Sequence, residues 1–151
     1  MSLHAFQFAR KANEEVITRT TQENVDVIPE GFSNSIHWNY GHILVIADHL
    51  LSHAKNYDPV VPASYQQYFH KGTSPTDWSG DVPTLEQLKE VSSSQKKAIQ
   101  SLLERNKESD ATEVFTLFDQ RFETVGELLS FVAFHEGMHY RTVQLYHNRL
   151  Q

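Results

Sequence analysis

Thr124 to Arg149 read TVGELLSFVAFHEGMHYRTVQLYHNR. Thr124 followed three residues later by Glu127 is a capping box, the pairing that satisfies two free amides at the start of a helix. From there Val125, Leu128, Val132, His135, His139, Thr142 and Tyr146 step by three and four, the spacing of one helix face. The stretch is predicted to form a helix ending near Arg149, with His135 and His139 on its inner seam.

Working back toward the amino terminus, three more helices are predicted. Leu3, Phe6, Ala9, Val16 and Ile17 place one over Leu3 to about Thr20, and Pro29 and Gly31 break the pattern that follows. FSNSIHWNYGHILVIADHLLSHA, from Phe32 to Ala54, is predicted as a helix capped by Ser33 or Asn34 and apolar most of the way round, hence largely buried. Gly41 inside it costs about 1 kcal/mol relative to alanine, a concession that a close helix contact or a ligand would explain. A second capping box, Thr84 with Gln87, opens a helix to about Asn106 with Leu85, Leu88, Val91, Ile99 and Leu102 inward. Between Asn56 and Pro83 the chain is rich in proline and glycine, with a short helix expected from Pro62. A connection of that length is either a functional lid or a crossover wrapped on the bundle. No strand signal is evident. The fold expected is all-α, an up-and-down four-helix bundle with its long connection between helices 2 and 3, one domain over 1–151.

Bulk composition narrows the function. With 13 basic against 19 acidic side chains and a net charge of −6, the chain lacks the basic footprint that nucleic-acid binding requires. It has no cysteine, so it offers neither disulfides, nor thiolate metal ligands, nor a thiol nucleophile of its own. No apolar run approaches the ~20 residues of a membrane span, and no signal-peptide core is present; the expected compartment is the cytoplasm.

The nine histidines fall mostly within helical patterns rather than in a tract. His135, Glu136 and His139 spell H-E-x-x-H, and two imidazoles one turn apart can share a metal at roughly 2.0–2.1 Å. A protease reading fails. Thr142 and Leu145 stand where an extended zinc-protease motif needs glycine and histidine, and no acidic residue follows Glu136. The third ligand must therefore come from earlier in the chain. The second helix offers His42 and His49 on one stripe, with His53 one turn beyond His49 and His37 off the stripe as a surface or rim residue. Either His42 or His49 would complete a three-histidine site.

SIHWNYGHI, followed some ninety residues later by HEGMHYRTVQ, resembles the DinB/YfiT-like family of four-helix bundles. That resemblance implies one ligand from a W-x-x-G-H-[IL] context on the second helix and two from the H-x-x-x-H of the last. The ligands it implies here are His42, His135 and His139. Where family members often carry Gly-Gln shortly after the last histidine, this chain has Arg141 and Thr142, a departure that affects packing there and not the ligands.

Three neutral imidazoles leave a divalent ion, zinc or nickel by the resemblance, with open positions for water or substrate. Relatives resemble thiol-dependent enzymes, which implies an S-transferase acting on a small-molecule substrate with an external low-molecular-weight thiol as cosubstrate. The alternatives are a metal-dependent hydrolase and a non-catalytic, stress-related metal-binding bundle. Glu136 is the candidate general base, and Tyr40, Tyr140 and Arg141 are candidate binders of an anionic substrate. A homodimer is implied by the resemblance; no nucleic-acid or membrane partner is expected.

Overall fold

A computed structural model describes residues 2–151. In chain order it contains α1 (Ser2–Arg19), α2 (Gln22–Val25), α3 (Ile36–Leu51), α4 (Gln66–Phe69), α5 (Leu85–Arg105), a hairpin of β1 (Ala111–Leu117) and β2 (Gln120–Thr124), and α6 (Val125–Arg149). The chain is thus mostly helical, with four helices of 16 to 25 residues. Both predicted capping boxes form, at Thr84 with Gln87 and at Thr124 with Glu127. The α3 cap is Ser35, whose hydroxyl accepts from the Trp38 amide, one or two residues beyond the expected caps.

Cross-helix bonds give the directions. Ser2 meets Gly126, Arg10 meets Glu136 and Thr20 meets His147, so α1 and α6 run parallel. Asn34 meets Tyr146 and Asn39 meets His139, so α3 and α6 are antiparallel. His37 meets Pro83 and Asp48 meets Gln95, so α3 and α5 run parallel. The order is therefore up-down-down-up rather than simply up-and-down, because the long connection carries the chain back along the bundle before α5 begins. Asp48 holds the start of that connection: its carboxylate accepts from the Tyr57 hydroxyl and from the amides of Val60 and Val61.

Gly41 has a clear cause. A Cβ there would overlap the Phe69 ring, which the α4 turn lays flat against the α3 backbone. Gly41→Ala should lower stability by about 1–3 kcal/mol through overpacking, instead of gaining the ~1 kcal/mol an unobstructed helix would gain. Urea melts of the two proteins would decide; a stabilised variant would mean that Phe69 does not sit there.

The hairpin was not foreseen. Phe118 and Asp119 form its two-residue turn, both at positive φ, the geometry of a type I′ turn that normally carries Asn-Gly. Phe115 and Phe122 are partners across the ladder and are half-buried, whereas Val114, Leu117 and Phe118 are exposed. The exposed apolar residues erase the alternation by which a strand is recognised. Two strands alone are marginal; these are held by Phe115 and Phe122 packing on Phe131 of α6.

Along the bundle axis the core is in two parts. Phe6, Leu51, Ile99, Leu102, Leu128 and Val132 belong to one; Val16, Tyr40, Leu44, Leu88, Val143 and Tyr146 belong to the other. At the level between them lie buried polar residues, Arg10, Asn13, Asp48, Gln95 and Glu136. The histidine cluster sits at that same level, between α3 and α6.

Candidate metal centre

His42, His135 and His139 come together, with one ligand nitrogen from each lying within 4.8 Å of the others. Their ring centroids are 4.5 to 5.2 Å apart. His135 and His139 are placed by one turn of α6, and His42 faces them from antiparallel α3. The tertiary alignment of the two helices selects His42 over His49. His49 instead sits near His53, with ring centroids 5.9 Å apart, toward the hairpin.

Two of the three rings have their tautomers set. His42 Nδ1–H donates to the Phe69 carbonyl at 2.7 Å; a carbonyl can only accept, so Nε2 keeps its lone pair. His139 Nδ1–H donates to Asn39 Oδ1 at 2.6 Å. The Asn39 amide is itself oriented, since its Nδ2 donates to Asn34 Oδ1 and the Ser35 carbonyl. Trp38 stacks on His42 at 4.4 Å and donates to Thr73, tying the turn after α4 to the same ring. Partners of this kind hold metal-binding imidazoles in place and fix which nitrogen is free. The donor set, three nitrogens with no thiolate or carboxylate, suits a borderline divalent ion such as zinc or nickel.

Burial keeps the ligands neutral. It pushes His135 down to about 4 and, with the neighbouring histidines adding to it, His139 down to about 3. His42 is lowered for the same reason, against its bond to the Phe69 carbonyl. All three are therefore unprotonated near pH 7, the form that binds a metal.

The other expected site residues make bonds of their own. Glu136 is fully buried on the α1 side of α6. Arg10 grips it with two bonds, Nε to Oε1 at 2.7 Å and Nη2 to Oε2 at 2.8 Å. Burial pushes the Glu136 carboxyl up, and the Arg10 fork pulls against that. The geometry makes it the anion of a structural ion pair; being next to His135 in sequence turns it about 100° away from the cluster. Tyr40 is also buried, donating its hydroxyl to Glu14 on the far side of α3. Tyr140 accepts from Gln144 Nε2, and exposed Arg141 donates to Gln144 Oε1. None of these bonds reaches the cluster. His37, expected as a surface or rim residue, is buried between the Asp26 carboxylate and the Pro83 carbonyl. What the sequence reading missed is Asn39 and the Phe69 carbonyl; Asn39, three residues before His42 and so on the same face, was the available signal.

Three histidines from the second and last long helices of a mostly helical chain thus form a group that could hold a metal ion. The family model of the DinB superfamily matches residues 5–143, so the chain belongs to that superfamily. A search of curated proteins returned no match. No helix among the described residues is long and apolar enough to cross a membrane.

Proposed function

We propose that the four long helices form a single bundle domain, and that His42, His135 and His139 bind one divalent ion as a metal-dependent enzyme acting on small molecules. The reaction we favour is transfer of an external thiol's sulfur to an electrophilic carbon. One observation carries the proposal: three imidazole nitrogens converge within 4.8 Å, and two of the rings are locked in the ligand tautomer. Three protein ligands leave open positions, which a structural zinc site normally fills with a fourth. When bound, a divalent ion lowers the pKa of a thiol or water held beside it. The chain's own contribution is to bring three neutral rings together and to hold two of them, His139 and His42, in place through Asn39 and the Phe69 carbonyl. With no cysteine in the chain and Glu136 engaged by Arg10, the nucleophile must arrive from outside and its proton must leave without that carboxylate.

Metal-loaded protein, a small bacterial thiol and a haloarene should yield a thioether and halide, and chelation should abolish the product. His139→Ala should be inactive while keeping a wild-type circular dichroism spectrum. If several thiols give no conjugate but an activated ester is cleaved, the hydrolase replaces the transferase. If neither reaction occurs, the metal-binding bundle without catalysis takes their place.

A further inference from the structure

Beside the histidine cluster runs an apolar ledge that the site described above does not use. Phe134 and Met138 each precede a cluster histidine by one residue, and they are 61% and 47% exposed. At 3.6 residues per turn they share one flank of α6, about 100° round from the histidine each precedes and on the opposite side from Glu136. Phe131 lies one turn before His135 and continues that flank toward the hairpin. Its ring meets Phe134 at 6.2 Å, Phe115 at 5.4 Å and Phe122 at 4.9 Å. On α3, one turn after His42, Ile46 is half-buried against the apolar core that includes Val132 and Ala133 of α6.

The two flanks of the cluster differ. Toward α1 the helix is closed: Arg10 holds Glu136, and Asn13 donates to the Glu136 carbonyl at 2.8 Å. That side is therefore closed to a ligand reaching the histidines, whereas the flank with Phe134 and Met138 is open to solvent. Single exposed apolar residues need no explanation, but a contiguous run that begins at a cluster of convergent polar groups has the make-up of a ligand site. Helix faces left to solvent carry charged and polar side chains; this one carries phenylalanine and methionine.

We propose that Phe131, Phe134 and Met138 form the subsite for a flat apolar group of the substrate, so that the compounds bound at His42, His135 and His139 are aryl-bearing or similarly apolar rather than sugars or phosphates. The proposal rests on the metal-site reading given above. The hairpin phenylalanines close the end. Methionine adapts its shape to aromatic partners, so the ledge favours a class of compounds over one.

Acetohydroxamate and benzohydroxamate test it, since both chelate metal through the same head group and differ in the phenyl ring. Each is titrated into cobalt(II)-loaded protein and followed by the visible absorption of the ion. Wild type is compared with the Phe134→Gln, Met138→Gln double variant, whose changes lie on an exposed helix face and leave every ligand in place. Wild type should bind benzohydroxamate about tenfold more tightly than acetohydroxamate, the order expected when part of a phenyl ring leaves water. In the variant that preference should fall to within about twofold while acetohydroxamate binding stays unchanged. An equal preference in both proteins overturns the subsite. So does a variant that changes mass in light scattering with the preference intact, because the ledge is then covered by a second copy of the chain. No cobalt spectrum, or no response to acetohydroxamate, removes the metal reading and the subsite together; a response to acetohydroxamate without the phenyl gain removes the subsite alone.

Discussion

Glu136→Ala should destabilise the metal-free protein by about 3–5 kcal/mol, because it strands the Arg10 guanidinium in the core. The partner groups magnify the loss. Arg10 also donates to Ser92 at 3.0 Å and Gln95 at 2.7 Å, and Gln95 in turn donates to Leu44 and Asp48. One broken pair therefore loosens a layer that joins α1, α3, α5 and α6. Removing both charges together, as Arg10→Met with Glu136→Met, should recover part of the loss, since buried pairs are often replaceable by packed apolar residues. Recovery cannot be complete while the Gln95 carbonyl lacks its donor. Denaturant melts measure all three. If Glu136→Ala melted within about 0.5 kcal/mol of wild type and lost only activity, the carboxylate would be a general base after all.

Loss of any one of the three histidines should have the larger effect on metal. His42→Ala, His135→Ala or His139→Ala each removes a ligand, and each should weaken binding by more than the roughly 10–100-fold that Asn39→Ala costs by releasing the His139 ring. His49→Ala should leave affinity unchanged. Acid sharpens the same prediction. Free histidine titrates near ~6.5, whereas burial holds His135 down to about 4 and His139 to about 3. In the metal-free protein the unfolded chain thus takes up protons at pH values where the folded one refuses them. Stability from neutral burial is full above ~6.5 and declines as pH falls toward about 4. Melting temperatures of metal-free protein across that window should drop, and His135→Gln, His139→Gln should flatten the slope.

The parts legible in the sequence were the local ones. A capping box spans four residues and a helical stripe repeats every three or four, so α5, α6 and the inward pair His135 and His139 could be read without knowing the rest. His42 could not be separated from His49 by spacing, because both lie on one stripe of α3 and only the alignment of α3 against α6 decides; the family resemblance supplied that choice. Glu136 looked available because its partner, Arg10, is 126 residues away in sequence. The Phe69 carbonyl that orients His42 is backbone, which no side-chain pattern announces. The hairpin stayed hidden because its turn, Phe118 and Asp119, lacks the asparagine-glycine signature of a type I′ geometry.

Calorimetric titration of zinc into metal-stripped protein tests the central claim most directly, with wild type, His139→Ala and His49→Ala side by side. The histidine cluster requires one zinc per wild-type chain, its loss in His139→Ala, and no change in His49→Ala. Zinc at about 100 times its Kd should also stabilise the wild type by about 2.7 kcal/mol. Wild-type binding that survives His139→Ala, or no binding by wild type at all, would contradict the account.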